Sequence, residues 1–174
     1  LSKKTLGIVG FGNVGVRLSN LVKGFDMNIL VNSKSLESRK KNYPHVKNVS
    51  FEDLISNSDI ISFHCKAAKD GKPLITKEHY KKMKPTAYII NAARGNIVDE
   101  KDLNEALNEN LIAGAALDVY SKEPAKENVL FNNPKAILTP HIAASTTEAS
   151  IVVAEMVANQ ISDFLLNGVK INTV

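Results

Sequence analysis

Short apolar runs alternate along this chain with segments whose apolar residues recur every three or four positions. TLGIVG, MNILV, DIISFH, AYIINAA, LIAGAALDV and AILTPH read as strands buried in a sheet. Between the first two, the spacing predicts a helix over residues 13–24, with Val14, Leu18, Leu21 and Val22 on its apolar face. FEDLISN reads as a short helix, with Ser50 as N-cap and Asp53 completing a capping-box-like pair. Thr76 caps a helix that ends before Pro85, and Asp99 caps KDLNEALNEN. A long helix from about Ser145 to Asn167 stops at Gly168. Residues 33–50 carry no sustained period and are expected to be mostly loop.

Strand and helix alternate from end to end, which points to an α/β fold: a doubly wound parallel sheet covered by helices on both faces. The length fits a single domain over residues 1–174. Such sheets bind ligands beyond the carboxyl ends of their strands, so the residues just after each strand are the ones that carry chemistry.

After the first strand stands GFGNVG, residues 10–15, a G-x-G-x-x-G pattern that opens the first helix. Gly10 permits a tight turn, Gly12 lets a pyrophosphate approach the backbone, and Gly15 lets helix and strand pack closely. The helix N-terminus adds free N–H groups and a partial positive charge. A plain strand-to-helix turn would use the same residues, and methyltransferases also carry a glycine-rich first turn. Three polar residues past later strands separate these readings: Arg94 in INAARGNIVDE, Glu123 in LDVYSKEP and His141 in LTPH. Singly, each reads as a surface ion pair, a loop residue or a cap. Together they suit hydride transfer at a carbonyl carbon. Arginine forks onto a substrate carboxylate, histidine exchanges the hydroxyl proton, and a buried glutamate holds the ring and favours its protonated form.

Composition narrows the class. Hydrophobic residues make up 44% and charged residues 23%, ordinary for a globular domain with a real core. Cys65 is the only cysteine, so no internal disulfide forms, and a reducing, cytoplasmic compartment is expected. No stretch reads as a membrane span or export signal, and the scattered histidines lack metal-ligand spacing. The net charge of +4 reads as a solvated basic face rather than a nucleic-acid surface. Its densest part is Lys34, Arg39, Lys40, Lys41 and Lys47, opposed only by Glu37.

On GFGNVG, NAARGNIVDE, AALDVYSKEP and TPHIAAST, the chain resembles the D-isomer-specific 2-hydroxyacid dehydrogenases over nearly its whole length. TPHIAAST and Glu148 look most like the D-3-phosphoglycerate dehydrogenase branch. The resemblance implies a Rossmann-type cofactor domain that dimerises, binds NAD or NADP, and acts on a 2-hydroxy or 2-keto acid. It implies that Arg94 binds substrate, Glu123 supports the histidine and His141 is the general acid/base. It further implies that Asn13 and Val14 meet the pyrophosphate through their backbone, beside Gly10, Gly12 and Gly15. Asp118 would contact the nicotinamide carboxamide. Ala92, Ala93, Ala143 and Ala144 would lie along the cofactor, with His64 and Cys65 on the adenosine side.

Three departures matter. Family members have a second, substrate-binding domain formed mostly by earlier chain, which this sequence lacks; cofactor binding without appreciable turnover is therefore expected. The family commonly has proline where Lys66 stands. In LVNSKS the usual ribose-binding acid is replaced by Ser33, flanked by Asn32 and Lys34. Serine removes the repulsion that an acid exerts on a 2′-phosphate, and the nearby lysines can attract one, so the residues lean to NADP while the family leans to NAD. A competing function is a dinucleotide-sensing interaction module, like the C-terminal-binding-protein corepressors that the family resembles, without useful catalysis.

Overall fold

The computed structural model describes residues 1–38 and 40–171 of the chain. They divide into two compact units, Leu1–Pro140 and His141 onward. The first unit holds seven strands: β1 (Thr5–Val9), β2 (Asn28–Asn32), β3 (Lys47–Asn48), β4 (Ile60–Phe63), β5 (Tyr88–Asn91), β6 (Gly114–Leu117) and β7 (Ala136–Leu138). Its helices are α1 (Asn13–Leu21), α2 (Lys34–Glu37), α3 (Phe51–Asn57), α4 (Lys77–Tyr80) and α5 (Glu100–Asn108); α6 (Thr147–Asn167) belongs to the second unit.

All seven strands are parallel, in the order β3-β2-β1-β4-β5-β6-β7. The chain runs outward from β1 in one direction, then returns to start the other half at β4. The strand order therefore reverses between β1 and β4, where doubly wound sheets open a crevice for ligands. Adjacent residues of β1 face opposite ways. Ile8 joins an apolar cluster with Phe11, Val31 and Leu36, whereas Val9 joins a larger one with Phe63, Ile89, Leu103 and Leu117. Burial on both faces explains why β1 reads as a continuous apolar run. Cover is incomplete over the later strands, where Tyr88, Ile90 and Ile137 are exposed.

Several local expectations change. In α1 the residues turned inward are Gly15 and Ser19, while Val14 and Leu21 are exposed. A Cβ on Gly15 would collide with the Gly10 carbonyl, so the helix docks on its smallest residues. The stretch expected as loop contains α2 and the edge strand β3, both too short to leave a period. The strand expected over residues 111–119 is only Gly114–Leu117. Asn110 adopts a left-handed conformation and Leu111 N–H donates to the Ala106 carbonyl, closing α5 instead. Likewise β7 stops at Leu138, short of His141. The Ser50 and Asp99 caps form as expected, accepting from Asp53 N–H at 3.0 Å and from Lys101 and Asp102 N–H at 3.0 Å each.

In the second unit, Thr146 caps α6 by accepting from Ala149 N–H at 3.1 Å, and Gly168 ends it at φ +67°. None of its 21 residues is buried. With a mean hydropathy of 1.3, α6 is long and apolar enough, by length and composition only, to cross a membrane, contrary to the expectation that no stretch of the chain is. Mostly buried core helices of soluble proteins have the same length and composition.

Candidate functional site

The glycine loop lies at the strand-order reversal. Gly10 has φ +94°, a conformation that favours glycine, and a Cβ there would stand 2.5 Å from the His64 carbonyl oxygen. The loop is thus pressed against the end of β4, while Gly10 N–H donates to the Asn32 carbonyl at the end of β2, at 3.0 Å. Gly12 is the N-cap of α1 and, among the described residues, has nothing within 4 Å of where its Cβ would be. The first-turn N–H groups that follow, beginning with Asn13 and Val14, have no acceptor within the helix. An open backbone, with N–H groups outside the helix's own ladder and a positive helix end, fits a dinucleotide pyrophosphate.

At the end of β2, Ser33 is extended and stands at the N-cap position of α2, without a side-chain cap bond. Its hydroxyl shares a 3.0 Å hydrogen bond with Ser35, whose own hydroxyl donates to the Phe11 carbonyl in the glycine loop at 3.4 Å. Asn48 on β3 holds the Ser33 backbone in both directions at 3.3 Å, accepting from its N–H and donating to its carbonyl. The same amide donates to the Glu37 carboxylate. The Glu37 carboxylate is thus engaged by the same asparagine that holds Ser33. The Asn32 side-chain amide donates to the Val49 carbonyl at 2.9 Å. Lys34 is exposed. Arg39, assigned to the same basic cluster, lies outside the described residues.

Past β5, the buried Asn91 side chain shapes the turn that presents Arg94. Its amide donates to the Arg94 carbonyl at 2.9 Å and its oxygen accepts from Ala93 N–H at 3.1 Å. The Arg94 guanidinium is exposed and spends one donor on the Ala93 carbonyl, leaving a fork for a ligand. Gly95 then meets the backbone of Tyr120 and Ser121 so closely that no Cβ fits. This contact clasps the Arg94 turn to the loop carrying Glu123. Glu123 accepts from Tyr120 N–H at 2.9 Å and is exposed rather than buried as expected, because it sits on an excursion with no helix or strand.

A glycine loop at the reversal, and Arg94 and Glu123 clasped together on the same strand edge, are the features on which the comparisons bear. Residues 1–143 match the family described as D-isomer specific 2-hydroxyacid dehydrogenase, NAD binding domain. The chain belongs to this family. It is 40% identical over all 174 residues to a glyoxylate reductase of Thermococcus litoralis, spanning 53% of that protein. It is 40% identical over 161 residues, 92% of the chain, to a D-3-phosphoglycerate dehydrogenase of Bacillus subtilis, spanning 31% of it. Among solved structures, an acyclic imino acid reductase in complex with NADPH and D-Arg superposes with a TM-score of 0.84 at 31% identity, covering 94% of this chain and 52% of that one. The chain thus spans about half or less of these relatives.

The remaining family positions fall in two places. In the first unit, Asp118 is buried at the end of β6 and accepts from the Thr139 hydroxyl. Ala92 is exposed and Ala93 half-buried at the Arg94 turn. His64 is half-buried and shares a 2.9 Å hydrogen bond with Ser62; burial lowers its pKa. Cys65 is half-buried, which pushes its thiol pKa up, and Lys66 is exposed. His141, Ala143 and Ala144 open the second unit, where His141 has a left-handed backbone at φ +56°. Sequence reasoning missed Asn48, Asn91 and Gly95 as residues that shape the site. A buried asparagine at a strand end was the one legible signal among them. Among the described residues no group of histidine, cysteine and carboxylate side chains could hold a metal ion.

Proposed function

We propose that this chain holds the nicotinamide cofactor of an oxidoreductase that interconverts a D-2-hydroxy acid and its 2-keto acid, with 3-phosphoglycerate or glyoxylate as candidate substrates. The observation that carries the reading is the clasp of the Arg94 turn against the Glu123 loop on the strand edge that also bears the open glycine loop. When bound, the cofactor would supply or accept the hydride at the substrate's C2. Asn13 and Val14 would hold its pyrophosphate through backbone N–H groups, with His64, Cys65 and Lys66 on the adenosine side. Asp118 would hold the carboxamide, and Ala92, Ala93, Ala143 and Ala144 would line its path. Arg94 would fork onto the substrate carboxylate and carbonyl oxygen, fixing which face of C2 is presented. His141 would give a proton to the carbonyl oxygen in reduction and take it back in oxidation, with Glu123 favouring the charged ring.

At the ribose end, Ser33 offers a hydroxyl where an acid would repel phosphate, Lys34 adds positive charge, and Asn48 engages the Glu37 carboxylate. These residues favour acceptance of a 2′-phosphate, hence NADP as well as NAD. The Ser33→Asp variant should then lose NADP(H) affinity and keep NAD(H), read by calorimetry; equal loss of both would refute this assignment. A homodimer in a reducing, cytoplasmic compartment completes the proposal, supported by a lone half-buried cysteine and the apolar surface of α6.

In the catalytically competent protein, His141→Ala should lower turnover about 10²- to 10⁴-fold, the range a general acid contributes. An unchanged rate would sink the assignment. A parent protein that binds dinucleotide, dimerises in response and oxidises nothing would favour the sensing module instead.

A further inference from the structure

The excursion that carries Glu123 is closed by a residue outside it. Residues 121–128 form no helix or strand, so side chains must set the path. Glu100, the first residue of α5, supplies them. One of its oxygens accepts from Ser121 N–H at 2.7 Å; the other accepts from the Ser121 hydroxyl at 3.0 Å and the Asn128 amide at 2.9 Å. Ser121 and Asn128 are the two ends of the excursion, so one carboxylate closes it like a drawstring. The far end is itself anchored: the Asn128 oxygen accepts from the N–H of the fully buried Leu130 at 3.0 Å. The near end follows Tyr120, which is buried and donates through its hydroxyl to the Thr139 carbonyl at 2.9 Å. Consecutive amides thus go to different carboxylates: Tyr120 N–H to Glu123, Ser121 N–H to Glu100. Hydrogen bonds to a charged acceptor are the stronger kind, and the fixed end of α5 gives Glu100 a rigid base.

We propose that Glu100 is a positioning residue for the reaction: by closing the excursion at both ends it fixes where the Glu123 carboxylate stands. This rests on the reading of Glu123 as the support of His141. Glu100 would touch neither substrate nor cofactor.

The test uses amide hydrogen exchange and carboxyl ¹³C NMR on the chain itself. Tyr120 N–H does not touch Glu100, so its protection reports where Glu123 is. In Glu100→Ala, Tyr120 protection should fall by about tenfold, the worth of a hydrogen bond or so, with a changed Glu123 carboxyl shift and core amides such as Leu103 and Ile89 unaltered. Glu100→Gln keeps an acceptor for Ser121 but turns a donor toward Asn128, so it should rescue part of the protection. Asn128→Asp leaves α5 untouched and sets a carboxylate against Glu100. It should loosen Tyr120 as well, which keeps the test open if Glu100→Ala fails to fold. Loss of Ser121 protection alone, with Tyr120 and the Glu123 signal as in the wild type, would overturn the proposal. None of these readouts needs cofactor or turnover. A catalytic assignment of Glu123 that failed, seen as normal turnover in Glu123→Gln, would therefore leave the positioning result standing, and the reverse also holds.

Discussion

Replacing Gly95 with alanine puts a methyl group where the Tyr120 backbone already stands. The new Cβ would fall on the Tyr120 carbonyl and 2.6 Å from Ser121 nitrogen, whereas real Cβ contacts below 3.0 Å are essentially never seen. Both sides are backbone, so no side-chain tip can swing aside. Overpacking of this kind costs about 1–3 kcal/mol, and a clash between two main chains belongs at the top of that range. For a protein of this size, about 3 kcal/mol corresponds to a Tm lower by about 6–12 °C. Gly24→Ala is the matched control. Among the described residues nothing stands within 4 Å of its Cβ, and its φ is not in the left-handed region, so it should be neutral or stabilise by about 0.4–1 kcal/mol through the unfolded chain. Scanning calorimetry of the two variants beside the wild type reads the difference directly. The functional consequence follows from the same clash. Separating the Arg94 turn from the Glu123 loop by about 1 Å can cost about 10²-fold in turnover. Equal Tm values for the Gly95 and Gly24 variants would refute the close-approach argument, and with it the clasp on which the active-site reading rests.

Two further predictions concern stability. The Tyr80 hydroxyl is buried in the core with no hydrogen-bond partner among the described residues, and burial drives its pKa well up. Tyr80→Phe should therefore be neutral or stabilise by up to about 1 kcal/mol, since an unmade hydrogen bond leaves only the desolvation cost; a loss above about 1 kcal/mol in urea denaturation would contradict this. Burial also lowers the pKa of His64, His45 and His79, with Lys23 and Lys82 adding to the effect at the latter two. The unfolded chain then binds more protons than the folded one as pH falls below about 6.5. The stability these rings contribute is present above that pH and lost below it, by at most about 1.4 kcal/mol per pH unit for each ring. Denaturation at pH 7.5 and 5.5 should show lower stability at pH 5.5, and a rise would contradict the sign.

The parallel alternation of strand and helix, the glycine loop and the Arg94 turn were legible because each rests on local signals: continuous apolar runs, a glycine pattern between strand and helix, and polar residues just past strands. What escaped depends on residues far apart. The face of α1 follows from the collision that Gly15 avoids, not from the spacing of Val14 and Leu21. Asn48 matters only because β3 pairs with β2 and brings its amide to Ser33. Glu100 reaches Ser121 across 21 positions of sequence, and nothing in the helix that it starts announces the partner. The expected burial of Glu123 failed for a related reason: the pattern LDVYSKEP marks a strand end but carries no signal for the excursion that follows.

The central claim is that the open glycine loop holds a nicotinamide dinucleotide. The measurement that tests it most directly is calorimetric titration of the chain with NADH and with NADPH at one ionic strength. The account predicts saturable binding at one site per chain, with NADPH accepted as well as NADH because Ser33 and Lys34 replace the usual acid. Failure of both dinucleotides to bind a folded chain would contradict it.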